Sequence, residues 1–554
     1  MKEMIMEANV ECILSDGTVL RADIYRPNQE ESFPALMIRL PYDKRTRRYY
    51  DEYLSVPRMV SAGYVVILQD VRGRYASDGE FYPFIHEGSD GYEAVEWAAR
   101  LPYCNGDVGL FGMSYHGYTQ LAAAVEAPPS LKAIAPVMTM GDPWSELLSG
   151  GSQASNVGNI ETWTIASIME DVLARRSDPK LEKVSRYIEE LPEWLHYAPA
   201  NEWPPMMDLD PESFFFDAIN GLVKEEHREK MSLLSKLPDV KIPALFMGGW
   251  FDALLPPTLK AYQAYGGTSM LWIGPWTHEE MSGRAGDKFF AGGAEKIGVD
   301  GITDPTELHI AWFNKWLKNE QLPMEEKVHL YLTGQERWES FDSWPPISSR
   351  KEFYLSSDGA SQSRYGDGLL KGEPDHGSTA SLLKLDPEHP FPTNGGGVLM
   401  AGQSSGMFEQ GQLQDRDDVL VYTSAVLEED LDILGTVRAV VWMSSPTPLL
   451  DVFIRLSDVE PDGKVYNLVD TFYRHSVTET DKPVRLGLDI NDTAYRFQTG
   501  HHIRVEIAAS NAPMFDVNLN NGKTTRTAVG GEVAFEKVFH GGETPSRIIL
   551  PVVE

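Results

Sequence analysis

The sequence predicts an α/β protein in three parts. A mostly parallel sheet carries helices on both faces, a helical insertion interrupts it, and an all-β domain follows. Three observations lead there. Apolar strand runs alternate with helical spacing at the start of the chain. The apolar period then becomes helical alone. Beyond Pro345-Pro346 short strand patterns return without helices between them.

The elements follow in order. Residues 35–40, 64–68 and 108–111 are continuous apolar runs of the kind buried on both faces of a parallel sheet. Residues 90–101 show helical spacing, with Tyr92, Val95 and Trp97 near Ala94, Ala98 and Leu101, and 131–137 continues the sheet. From Trp144 apolar residues recur at helical intervals, at Ile160, Trp163, Ile168 and Val172 and again at Leu181, Val184, Tyr187 and Leu191. Sheet runs resume at Val240. The expected division is 1–144 with 239–345 for the sheet domain, 145–238 for the insertion and 346–554 for the β domain. Springing from the sheet, the insertion is placed to cover its C-terminal edge. Residues 352–355, 419–423, 437–443, 451–456, 502–508 and 547–552 read as strands of a sandwich.

One stretch carries the chemistry. Val108 to Phe111 ends in Gly112, and Ser114 then stands at the apex of a tight turn. Gly117 and the Ala-rich run to Ala124 follow as a helix. A strand–turn–helix of this kind strains the serine backbone and lifts its hydroxyl clear of the sheet, and the glycines make room for the crossing chain. The following helix turns its free N–H groups toward the serine, the first of them on Tyr115.

A nucleophilic serine needs a base, and the base an orienting acid. In hydrolases with this turn the chain order is Ser, then Asp or Glu, then His. Two later apolar runs fit. One breaks at Gly248-Gly249 and delivers Asp252; the other breaks at Gly274-Pro275 and delivers His278. Each candidate sits just past a strand end, where open α/β sheets bind ligands. Singly, Asp252 reads as a turn residue and His278 as a surface histidine. In this order they read as the triad Ser114, Asp252 and His278. Trp144, Trp250, Phe251 and Trp276 are candidates for pocket lining, and equally for core.

These motifs resemble the X-Pro dipeptidyl-peptidase-like α/β-hydrolases, in the branch of the cocaine esterases. The turn is similar to that family's Gly-x-Ser-Tyr-x-Gly, here Gly112 to Gly117, with His116 as elbow packing. Gly249-Trp250-Phe251-Asp252 resembles its acid motif and Gly274-Pro275-Trp276-Thr277-His278 its base motif. The loop from Gln69 to Phe81 and the stretch from Ala509 to Asn520 match as well. The resemblance implies an α/β-hydrolase sheet with a helical cap and a C-terminal jelly roll. It implies a serine hydrolase of esters or amides. It also offers the Tyr42 phenol, in Arg39-Leu40-Pro41-Tyr42-Asp43-Lys44, as the oxyanion donor beside the Tyr115 amide. Asp70, Arg72 and Asp78 are expected to form an ion network bracing their loop. Within the family, ester hydrolysis, acylase action, X-Pro dipeptide cleavage and α-amino-acid ester hydrolysis all stay open. A non-catalytic, glycan-binding use of the scaffold is the alternative outside enzymes.

Composition bounds the rest. The chain of 554 residues is too long for one core. Its 82 acidic and 49 basic residues give a net charge of −33, which opposes nucleic acid and anionic membranes. No apolar run is long enough for a membrane span, and the N-terminus lacks a signal-peptide core. Cys12 and Cys104 provide neither a disulfide framework nor a metal set, which fits a reducing cytoplasm. No dinucleotide, phosphate-loop or metal-ligand spacing implies a cofactor. The expected partner is a small-molecule ester or amide; a homo-oligomer stays open.

Overall fold

A computed structural model describes residues 4–148, 156–291, 293, 301–324, 327–346 and 348–553. Its first layer is a ten-stranded mixed sheet. Strands β1 (Met4–Ile13) and β2 (Val19–Pro27) form an antiparallel hairpin at one edge. Then come β4 (Val65–Asp70), β3 (Phe33–Leu40), β5 (Cys104–Met113), β6 (Leu131–Val137), β7 (Ala244–Gly249) and β8 (Ser269–Gly274), all parallel. The strands Val328–Leu332 and Arg337–Phe341 close the far edge. Every residue of β4 and β7 is buried, as expected of strands covered on both faces. The first two strands escape the sequence reading because they form an edge hairpin and nearly all of β1 is exposed or only half-buried, so neither is a buried apolar run.

Helices cover both faces. On one lie α2 (Glu87–Ala99) and α3 (Tyr115–Val125), burying Ala94, Val95, Ala98, Tyr118 and Leu121. On the other lie α1 (Val56–Ser61) and the helix Pro305–Lys318, burying Val56, Met59, Leu308, Trp312 and Phe313. The described residues between β6 and β7 are helical or irregular, in short pieces such as Val157–Trp163 and Glu170–Arg175. From Ser349 the chain forms a second sheet of eleven strands, ending with Arg547–Val552.

The β domain reaches back over the first sheet. Its segment around Leu399 lies on the insertion helix Val157–Trp163. The Leu399 N–H donates to Asn159 Oδ1 at 3.0 Å, and the Ala401 N–H to Thr162 Oγ1 at 3.2 Å. A Cβ on Gly158 would stand 2.3 Å from Met400 Sδ, so the contact is close. The same segment touches the Asp252 loop, where a Cβ on Gly397 would meet Ala253 Cα at 2.9 Å.

Candidate active site

Ser114 occupies φ 62°, ψ −128°, between β5 and α3. A non-glycine residue in that region is strained and persists only when its surroundings hold it. They do: the Ser114 N–H donates to the Val137 and Met138 carbonyls at 2.9 and 3.1 Å, and Thr139 Oγ1 donates to the Ser114 carbonyl at 2.9 Å. Two glycines permit the turn. A Cβ on Gly112 would lie 2.7 Å from His116 Nδ1, and one on Gly117 2.6 Å from Thr139 Cβ. The Met113 N–H donates to His116 Nδ1 at 2.5 Å, so that nitrogen carries no proton. Burial, with Arg48 and His278 nearby, pushes the His116 pKa well below the ordinary histidine range. His116 is thus a neutral packing residue against Tyr42, Tyr49 and Tyr53.

Asp252 and His278 meet across two interlocked loops. The Trp250 N–H donates to the Gly274 carbonyl at 2.9 Å and the Phe251 N–H to the Trp276 carbonyl at 3.1 Å. Nothing larger than hydrogen fits at Gly249, whose Cβ would stand 2.3 Å from Trp276 O. Gly274 is covered equally closely by the Trp276 ring. This interlock brings His278 Nδ1 to 2.8 Å from Asp252 Oδ1. The Asp252 side chain is 0 % exposed, which keeps water from competing for the bond.

Ser114 and His278 line one cavity of about 250 Å³. Tyr42, Arg48, Tyr49, Phe84, Met140, Trp163 and Leu254 add to its wall. Trp163 Nε1 donates to the Tyr42 hydroxyl oxygen at 3.0 Å. The phenol proton is thereby left to donate elsewhere. Burial raises the Tyr42 pKa, so the group stays protonated. Tyr115 begins α3, and its N–H is one of the helix's unpaired first-turn donors. Its own phenol points away, donating to Glu87 Oε1 and accepting from the Phe84 N–H, both at 2.9 Å.

The Arg-rich loop after β4 is structural. Lys44 Nζ meets Asp70 Oδ2 at 2.6 Å, Arg72 clamps Asp90 through two bonds of 2.8–2.9 Å, and Asp78 takes Arg21 at 2.7 Å. Arg74, fully buried, does more. It donates to the Pro41 carbonyl at 2.6 Å, beside Tyr42, and to the Ser167 and Ile168 carbonyls of the insertion, both at 3.0 Å.

The four aromatic candidates for pocket lining lie away from the Ser114 cavity. Trp250 and Trp276 use their indole N–H groups on the Tyr331 and Gly293 carbonyls, at 2.7 and 2.8 Å, deep in the core. Phe251 stacks on Phe290 at 5.7 Å. Trp144 lies under Arg228, 4.6 Å from the guanidinium carbon. In their place stand Trp163 and Asn159 from the insertion, Leu399 from the β domain and Arg48, none of which a sequence motif marks.

Comparison with known proteins agrees with this architecture. Residues 16–280 match the X-Pro dipeptidyl-peptidase (S15 family) model, and residues 319–549 match the X-Pro dipeptidyl-peptidase C-terminal non-catalytic domain. The cocaine esterase of Rhodococcus sp. (strain MB1 Bresler) is 31 % identical over 571 aligned positions, covering 99 % of this chain and 98 % of the esterase. The chain belongs to the X-Pro dipeptidyl-peptidase (S15) family, in its cocaine esterase-like branch. As a family member it is a serine hydrolase. Solved structures share the fold over all of this chain. An aminopeptidase from a marine sediment Thaumarchaeota archaeon superposes with TM-score 0.80 at 21 % identity, covering 97 % of that chain. An α-amino acid ester hydrolase does so with TM-score 0.74 at 20 % identity, again covering 97 %. Among the described residues no helix is long and apolar enough to cross a membrane, and no cluster of side chains could hold a metal ion.

Proposed function

We propose that the protein hydrolyses small carboxylic esters or amides through an acyl-enzyme formed on Ser114. The observation that carries the reading is the His278–Asp252 bond of 2.8 Å beside a strained serine on one cavity. His278 Nδ1–H donates to Asp252, which fixes the tautomer and leaves Nε2 to accept the serine proton. As Ser114 Oγ attacks the carbonyl carbon, the Tyr42 phenol and the Tyr115 N–H bind the oxyanion. His278 Nε2 then returns the proton to the leaving oxygen or nitrogen. Water attacks the acyl-enzyme with the same histidine as base, and the acid is released. The β domain, read here as a jelly roll, contributes to the cavity wall through Leu399. Two free thiols support a reducing, cytoplasmic setting.

A fluorophosphonate probe is expected to label the wild type and not Ser114→Ala. Turnover of p-nitrophenyl butyrate that survives in Ser114→Ala would refute the assignment. A panel of benzoyl esters, amino-acid esters, glutaryl amides and Ala-Pro-p-nitroanilide separates the open alternatives. Preference for the last over every ester would make the protein a dipeptidyl peptidase instead.

A further inference from the structure

One side chain in the wall of the Ser114 cavity carries a charge that the triad does not use. Arg48 is half-buried and lines that cavity with Ser114 and His278. Among the described residues of the wall it is the one side chain of fixed charge; the others are apolar, aromatic, hydroxyl, amide or histidine groups. No carboxylate among the described residues forms an ion pair with it. Its guanidinium makes one hydrogen bond among them, a long one of 3.5 Å from Nη2 to the His278 carbonyl. Asp252, the acid of the triad, is taken by His278 Nδ1 and lines neither cavity that Arg48 borders.

The charge acts inside the site. Burial raises the pKa values of Tyr42, Tyr49 and Tyr53, and the Arg48 charge opposes the rise in each. Burial lowers that of His116, and the Arg48 charge lowers it further. Three of these four rings, Tyr42, Tyr49 and His116, line the Ser114 cavity. Arg48 also borders a second cavity of about 540 Å³, which shares Met113 and His278 with the first. Glu52, Glu279, Glu280 and Asp304 line that one, so an anion is repelled there and drawn to the Ser114 side, whose described wall holds no carboxylate. A half-buried guanidinium has lost part of its hydration, and with no acid of its own chain beside it an arriving anion makes good the loss. A carboxylate fits best, because two oxygens match the planar fork of N–H donors. The net charge of −33 repels anions from afar, but at physiological salt exposed charges are screened beyond about 8 Å, and the contact with Arg48 decides.

Resting on the hydrolase reading above, we propose that Arg48 selects substrates by pairing with a carboxylate that they carry. The preferred substrates are then half-esters or half-amides of dicarboxylic acids, or esters and amides whose leaving group bears an acid. A neutral analogue forgoes the charge-assisted bond and leaves the guanidinium unpaired.

Two matched pairs of substrates test this: mono-p-nitrophenyl adipate against its methyl ester, and 3-carboxy-4-nitrophenyl butyrate against its methyl ester. The first pair puts the carboxylate in the acyl group, the second in the leaving group. The ratio of kcat/KM, carboxylate over methyl ester, is measured for wild type, Arg48→Gln and Arg48→Met at pH 7.5 and one ionic strength. Comparing ratios between proteins removes the intrinsic reactivity of the esters. In at least one pair the ratio should fall about tenfold or more in the variants, the effect of one hydrogen bond between charged groups. Met keeps the apolar stem, so it decides the matter if Gln lowers the thermal midpoint too far. A smaller fall in both pairs, with Ser114 still labelled by fluorophosphonate, would overturn the proposal alone; equal losses on charged and neutral esters are of this kind and would make Arg48 part of the site's framework. A wild type that takes the label but cleaves neither carboxylate ester would overturn it too. A wild type that cleaves none of the four esters and takes no label would overturn the hydrolase reading, and this proposal with it.

Discussion

The strand-end loops that carry Ser114 and His278 and the wall of the cavity they line are built in different ways. Ser114, Asp252 and His278 follow β5, β7 and β8, and each is set by glycines close to it in the chain and by backbone bonds to the end of a neighbouring strand. The wall draws Tyr42 from the loop after β3, Trp163 and Asn159 from the insertion and Leu399 from the β domain. Buried Arg74 ties the first of these to the second, and the Leu399 N–H ties the second to the third. On the proposed reading, the chemistry rests on the strand ends and substrate choice on packing between segments distant in the chain. Substitutions at strand ends should therefore act on kcat, and substitutions in the wall on the ratio between substrates.

The largest effects test the first half of that contrast. Ser114→Ala should lower kcat on the order of 10⁶-fold with the fold intact. Asp252→Asn should lower it about 10⁴-fold, because an amide at 2.8 Å from Nδ1 favours the wrong tautomer. Steady-state kinetics on one activated ester, with thermal midpoints beside them, check both. An Asp252→Asn enzyme within tenfold of wild type would mean that the interlocked loops, rather than the carboxylate, orient His278.

Tyr42→Phe should come next, at about 10² to 10³ in kcat with little change in KM, as for loss of one oxyanion donor. Trp163→Phe keeps the ring stacking near Phe84 and Tyr115 but removes the N–H that holds the Tyr42 oxygen. Its expected cost is smaller, about three- to tenfold in kcat. The cross-check is the double variant. If Trp163 acts only through Tyr42, Trp163→Phe adds nothing in a Tyr42→Phe background; additive losses would give Trp163 a separate role.

The same contrast explains what could be read in the sequence. The α/β character, the helical insertion and the β domain show in apolar period and length, because each element is buried in a regular way. Ser114, Asp252 and His278 show because a strand that ends in glycine and then presents a polar residue is a local pattern. Tyr42 was offered only by family resemblance; its partner Trp163 is 121 residues away, and no spacing rule joins them. Asn159 reads as one of three polar residues on a short helix, with Glu161 and Thr162, until the Leu399 N–H, 240 residues on, is seen to hold its oxygen. Trp250 and Trp276 stayed open between pocket and core for the converse reason. They flank Asp252 and His278 in sequence, yet a strand end also turns side chains into the core.

That choice between pocket and core supplies the smallest and most discriminating test. Trp250 is two residues from Asp252, but its indole N–H donates to the Tyr331 carbonyl at 2.7 Å and its ring packs on Trp344. Trp250→Phe retains most of the apolar area and deletes one buried bond. The expected cost is about 1–3 kcal/mol of stability. Calorimetry should show this as a lower midpoint for the transition that includes the first sheet, by about 2–4 °C per kcal/mol. The backbone bond from Trp250 N–H to the Gly274 carbonyl does not involve the side chain, so Asp252 should keep its place. Both kcat and KM should then stay within about threefold of wild type for every ester. A shifted midpoint with unchanged kinetics assigns Trp250 to the core. A change in KM that differs between substrates would return it to the cavity wall and break the separation between local chemistry and long-range specificity.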